Sequence, residues 1–157
     1  MLNTVKYFQT KKDQAPKRLL SLGLSRQQII MLTVGYHDGS IDKMPELINC
    51  LTFPIENEAN EIIGVVGLTE NLKTIIHGDL STGIFNRLAL NVYSKVIISS
   101  FLDTLDLMAS GVPNAITLFS DDISALKNID EVTLLRYYDT GLPKALEKAG
   151  ITVRRKI

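Results

Sequence analysis

The sequence predicts an α/β fold. A mostly parallel four-stranded sheet with flanking helices is expected over residues 93–157, after a helical and β-hairpin subdomain over residues 1–92. Three observations carry that expectation. From Lys95 onward, short apolar runs alternate with stretches of helical spacing, as in parallel sheets covered by crossover helices. Ahead of them, LINCLTFPI and EIIGVVGL are two β-rich runs around the polar turn ENEAN, the pattern of a hairpin. The first third reads as helical and partly basic.

Taken in order, DQAPKRLLSLGL offers Asp13 as a cap, Pro16 near a helix start and Gly23 as a stop. In LSRQQIIMLTVGY, Ser25 and Gln28 have capping-box spacing before an apolar run. Residues 70–92 carry no clear periodicity, and HGDLSTG reads as a loop. KVIIS is then a strand, and SFLDTLDLMAS a helix with apolar positions at Phe101, Leu102, Leu105 and Met108, closed by Gly111. NAITLF is a second strand, followed by SDDISALKNI, read as a short helix with acids in its first turn. EVTLLRY is a third strand, LPKALEKAG a helix, and ITVRRKI the last strand.

Composition narrows the function classes. The chain has 157 residues, 45% of them hydrophobic and 22% charged, which is enough for an ordinary core. Seventeen basic residues balance seventeen acidic ones, so the overall charge lacks the excess usual in a dedicated duplex binder. The single cysteine, Cys50, makes no intrachain disulfide and reads as a small buried residue. His37 and His77 fall in no triad or zinc spacing and read as loop or surface residues. No apolar run reaches membrane-span length and the N-terminus has no signal-peptide pattern, so no membrane partner and a cytoplasmic location are expected. There is no P-loop and no nucleophile elbow, and Gly64 with Gly67 is too little for a dinucleotide fingerprint.

In parallel α/β sheets, sites form at the carboxyl ends of the strands. Those ends bring Ser99 and Ser100, then Ser120 to Asp122, then Tyr137 to Asp139. Phosphoryl chemistry with magnesium needs several carboxylates converging on one place. Asp103 and Asp139 are the candidate catalytic residues, and Asp103, Asp106, Asp121 and Asp139 the candidate metal ligands. Each also has an ordinary reading. Asp103, Asp121 and Asp122 suit helix first turns, Asp106 a solvated helix face, and Asp139 a turn.

The ordered series of segments resembles the catalytic core of bacterial DnaG-type primases, including its Toprim domain. RLLSLGLSRQQIIMLTVGY is similar to that family's helical stretch, and LTFPIENEANEIIGVVG to its hairpin. STGIFNRLAL keeps Phe85, Arg87 and Leu90 of the segment that follows. VIISSFLDTLDLMASGVPNAI is similar to the first strand–turn–helix of Toprim domains, and VTLLRYYDTGLPKALEKAGITV to the strand and helix that bear the family's paired aspartates.

The resemblance also marks departures. The family's glutamate after the first strand falls on Ser99, and the first of its paired aspartates on Tyr137; Asp103 and Asp139 are kept. The hairpin's closing basic residue falls on Leu68, and a family Lys and Asn fall near Ile75 and Gly78. A serine supplies no anion at neutral pH. The resemblance therefore implies a degenerate primase-like protein, catalytically weak or inactive. It would bind nucleic acid or a replication complex, in DNA replication or mobile-element maintenance. Lys73 and Arg87 are its nucleic-acid-binding candidates, with Lys11, Lys12, Lys17, Arg18 and Arg26 as a further basic group. Single-stranded DNA or a helicase would be the partner, and no cofactor is expected. Two alternatives stay open: an active magnesium-dependent phosphotransfer enzyme with a rebuilt acidic site, and an α/β assembly scaffold.

Overall fold

Apolar residues at Val5 and Phe8 give the first helix, α1 (Leu2–Thr10), one buried stripe. This computed structural model describes residues 1–135 and 141–156. Within them the chain forms two compact units, Met1–Leu80 and Ser81–Ile157.

In the first unit α1 is followed by a 3₁₀ turn at Lys12–Gln14 and two short helices, α2 (Lys17–Leu20) and α3 (Arg26–Met31). The capping box expected at α3 is complete. Ser25 Oγ accepts from the Gln28 amide at 3.1 Å, and Gln28 Oε1 accepts from the Ser25 amide at 2.8 Å. Four strands follow: β1 (Gly35–Tyr36), β2 (Leu51–Glu56), β3 (Ile62–Leu68) and β4 (Thr74–Gly78). β1 pairs with β2, β2 with β3 and β3 with β4, all antiparallel. The expected hairpin is β2–β3, with an irregularity in register between Ile55 and Glu56.

The glycines of GVVGL serve packing. A Cβ on Gly64 would lie 2.3 Å from the His77 carbonyl, and one on Gly67 would lie 2.7 Å from Leu47. The unit's core gathers Val5, Phe8, Met44, Leu47, Cys50 and Val65. Cys50 is buried as expected, and burial pushes its thiol pKa up.

Two expectations for this unit need correction. His37 is a loop residue directly after β1, as read, but it is completely buried rather than at the surface. Its Nδ1 accepts from the Gly39 amide at 3.1 Å, which leaves Nε2–H to donate to the Lys43 carbonyl at 2.7 Å. Phe8 packs beside it, ring centroids 4.6 Å apart. A histidine whose two nitrogens are both engaged is buried at little cost. His77, with Gly78, belongs to β4 rather than to a loop, and its Nδ1 pairs with Glu46. β4 is hard to read because no residue of it is fully buried, so its sequence has no apolar face to display.

The second unit starts with β5 (Ile84–Phe85) and a one-turn helix, α4 (Ala89–Val92). Then come β6 (Lys95–Ile98), α5 (Phe101–Ala109), β7 (Ala115–Leu118), β8 (Glu131–Leu135), α6 (Leu142–Lys148) and β9 (Thr152–Lys156). The strand order is β5-β7-β6-β8-β9. β7, β6, β8 and β9 are the predicted four parallel strands, and β5 pairs antiparallel with β7. The core runs through Val96, Ile98, Ile116, Val132, Leu134, Leu142 and Leu146.

Where a helix was expected in SDDISALKNI, only a 3₁₀ turn forms, at Ser124–Leu126. The reason is local competition. The Asp122 amide donates to Ser120 Oγ at 3.1 Å, and Asp122 Oδ1 accepts from the Ser124 amide at 3.0 Å. Such side-chain bonds hold a turn and stop a helix from starting earlier.

Candidate functional site

The carboxyl ends of β6, β7 and β8 lie side by side, because β6 pairs with both neighbours in parallel register, Ile98 opposite Ile116 and Leu134. The chain leaves β6 through Ser99 and Ser100, and leaves β7 through Phe119 and Ser120. Beyond Leu135 of β8 lie Tyr137 and Asp139, outside the described residues, so the candidate role of Asp139 rests on sequence alone.

Ser100 stands three residues before Asp103, the spacing of an N-cap serine. It is the N-cap of α5, and its Oγ accepts from the Asp103 amide at 3.2 Å. Asp103 stands in the first turn of that helix, where a carboxylate is favoured by the helix dipole. Phe101, behind it, packs on Phe85 with ring centroids 4.7 Å apart.

Ser99 is different. It is fully buried and belongs to a buried cluster of three hydroxyls. Thr104 Oγ1 is the hub: it donates to the Ile116 carbonyl at 3.1 Å and accepts from Thr117 Oγ1 at 2.8 Å. Ser99 Oγ lies 2.6 Å from the same atom. Since a threonine hydroxyl has one proton and two lone pairs, Ser99 is the donor in that contact. All three hydroxyl protons are thus used within the cluster and on the Ile116 carbonyl. The resemblance expects a glutamate at Ser99; the structure fills that position with a neutral network closed on β7.

Thr104 and Thr117 were not singled out from the sequence, although a signal existed. The buried stripe of α5 is Phe101, Thr104, Leu105 and Met108, with Leu102 37% exposed. A threonine in the third-and-fourth spacing of an apolar stripe marks a buried hydroxyl. Reading Leu102 into the stripe hid it.

The remaining carboxylates are dispersed. Asp106 is exposed on α5, and Asp121 and Asp122 are exposed in the loop after β7. Asp121 reaches the start of α6, since a Cβ on Gly141 would lie 3.6 Å from its Oδ2. Among the described residues no three His, Cys, Asp or Glu side chains are grouped to hold a metal ion. The described strand ends do not fit a magnesium site of the kind the resemblance would require.

Of the basic candidates, Lys73 is exposed just before β4 in the first unit, and Arg87 is partly buried just after β5 in the second. Next to Arg87, Asn86 is an anchor that sequence reasoning passed over. Its backbone has φ of 60°, and its buried amide donates to the Pro113 and Ala115 carbonyls at 3.1 and 2.9 Å. Asparagine tolerates that left-handed conformation better than most residues, which ties the turn after β5 to the start of β7.

No family model matches the chain, and no curated protein matches it. Solved structures do. The zinc-binding and RNA polymerase domains of Aquifex aeolicus primase match 98% of this chain with a TM-score of 0.69 at 16% identity, the match spanning 53% of that chain. A DnaG primase catalytic domain bound to single-stranded DNA matches 98% of this chain, and 70% of its own, with a TM-score of 0.70 at 13% identity. The primase fragment of the bacteriophage T7 primase-helicase protein matches 88% of this chain and 62% of its own, with a TM-score of 0.54 at 14% identity. This chain thus spans about half of the Aquifex aeolicus chain, and at these identities the likeness speaks to architecture. The chain has the fold of the catalytic core of DnaG-type primases, with the Toprim-like parallel sheet as its second unit.

Proposed function

We propose that this chain is a primase-fold binding module, engaging single-stranded DNA or a replication protein such as a helicase, that does not synthesise primers. Ser99 is the observation that carries the reading. At the strand end where the resemblance calls for a glutamate, the side chain is neutral, fully buried and hydrogen-bonded to Thr104. A transition state rich in phosphoryl charge needs preorganised cations and the anions that hold them. A closed hydroxyl cluster supplies neither. DNA replication or the maintenance of a mobile element in the cytoplasm is the setting this reading implies. The support for a nucleic-acid partner is that one similar solved domain is bound to single-stranded DNA, and that another comes from a primase-helicase protein.

The test has two arms. In the first, primer synthesis on a single-stranded template is measured with magnesium and with manganese, and none is expected. Synthesis that disappears in Asp139→Asn or Asp103→Asn overturns the reading in favour of a rebuilt acidic enzyme. In the second, single-stranded DNA is titrated at low salt. The expected binding is weak and falls with salt, its log–log slope shrinking by about one unit for each phosphate contact removed in Lys73→Ala or Arg87→Ala. Binding that neither substitution alters excludes those two residues as its surface.

A further inference from the structure

We infer that the cleft between α2 and α3 docks an acidic, amphipathic segment of a partner protein through one apolar anchor side chain. Leu19, Leu20, Leu22, Leu24, Ile29 and Leu51 line a cleft of about 70 Å³. Its surroundings are unusually apolar for a surface. Leu20 is 45% exposed, and Ile30 and Met31 on α3 are 63% and 45% exposed. α3 itself has no fully buried residue, although its second half is wholly apolar. A helix of that composition is stabilised by covering its apolar side chains, and Ile30 is left mostly exposed.

Size and charge select the occupant. Small-molecule and cofactor sites have volumes of about 300–1,000 Å³, so this cleft holds a side chain rather than a nucleotide. Single-stranded nucleic acid is gripped by aromatic platforms, and none of the residues lining the cleft is aromatic. Lys12 and Asp13 also line it, Lys17 opens α2 and Arg26 opens α3. Across residues 11–34 there are five basic residues, Lys11, Lys12, Lys17, Arg18 and Arg26, against the single acid Asp13. Lys11 is engaged by Asp38 at 3.8 Å and the charge of Lys12 is offset by Asp13 in the lining, which leaves Lys17 and Arg26, the first residues of α2 and α3, as the basic excess beside the cleft. A helix carrying an apolar stripe flanked by carboxylates complements both the lining and the charge.

The experiment uses the whole chain and fluorescence anisotropy. The probe is a fluorescein-labelled peptide of about twelve residues, Glu and Ala with leucines at helical i, i+4 spacing. Controls replace its leucines by serine or its glutamates by lysine. Binding is expected for the acidic leucine peptide alone. Leu20→Ser and Lys12→Glu should each weaken it by about fivefold or more, the scale of an interface anchor. Ile30→Ser, at the most exposed of these positions, serves as a variant whose folding is not at risk, and should also weaken binding. Thermal melts confirm that each variant is folded. Three results overturn the proposal: equal binding of the acidic and basic peptides, no response to either Ile30→Ser or Lys12→Glu, or displacement of the peptide by oligothymidylate whose own binding needs Lys12 but not Leu20. The last would make the patch a nucleic-acid surface.

Discussion

At the scale of single residues, the decisive feature is one hydroxyl, Thr104 Oγ1, that serves three partners inside the second unit. Removing it strands two donors and a carbonyl at once. Thr104→Val, nearly isosteric, is therefore expected to cost about 3 kcal/mol, whereas Ser99→Ala, which removes one donor and leaves one lone pair of Thr104 unfilled, should cost about 1 kcal/mol. Urea denaturation of both variants checks the ranking; equal costs would mean the three hydroxyls do not act as one cluster. Asn86 offers a second comparison. Asn86→Ala loses one buried and one partly buried hydrogen bond and leaves a left-handed backbone without its asparagine, so a loss of about 2–4 kcal/mol is expected in the same measurement. Asn86→Gly, which relieves the backbone but not the lost bonds, should fall short of that.

At the scale of elements, α5 depends on its cap. Ser100 fills the N-cap and Asp103 the first turn, with no reciprocal bond from Asp103 among the described contacts. Ser100→Ala is expected to destabilise by about 0.5–2 kcal/mol, and Ser100→Asp to restore most of that because aspartate caps as well as serine does. Thermal melts at neutral pH decide it. If Ser100→Ala melts with the parent, the helix is held by its packing on β7 and the cap adds nothing. The loop after β7 makes the contrasting point: two polar bonds around Asp122 and Ser120 are enough to turn an expected helix into a 3₁₀ turn.

At the scale of the whole molecule, a balanced charge leaves pH dependence to a few carboxylates with partners. Ser40, through its hydroxyl and its amide, holds Asp38 below its ordinary pKa. Glu46 is held low first by a backbone hydrogen bond of its own and then by His77. At Glu131 burial pushes upward, but the hydrogen bond and charge of Arg154, with Lys95, outweigh it and the pKa falls. A carboxyl whose pKa is lowered in the folded state stabilises at neutral pH, and that contribution is lost as pH falls through the folded value. Stability is thus expected to drop on acidification below the ordinary carboxylate range. Glu131→Gln should melt lower than the parent at neutral pH and lose less between about pH 6 and pH 3, because it no longer has that proton to take up. Parallel pH profiles for the two proteins would show that the Glu131–Arg154 pair carries none of the acid sensitivity.

The sequence by itself determined the parallel β6–β9 sheet, the β2–β3 hairpin, the Ser25 and Ser100 caps and the absence of an anion at Ser99. Each of these is written in local terms: apolar runs of strand length, a polar turn, a hydroxyl three residues ahead of an amide, and the identity of one side chain. Only the tertiary structure decided what surrounds Ser99. Its hydroxyl network joins residues 99, 104 and 117, which no periodicity links and which meet only when α5 folds back on β7. The same holds for His37, buried because residues 39 and 43 loop round to engage both of its nitrogens, and for β4 and β5, whose few residues become strands only through the partners β3 and β7 provide. Local pattern specifies an element when the element has its own apolar face or cap; where pairing or burial is supplied by distant chain, the information lies in the contact and not in the segment.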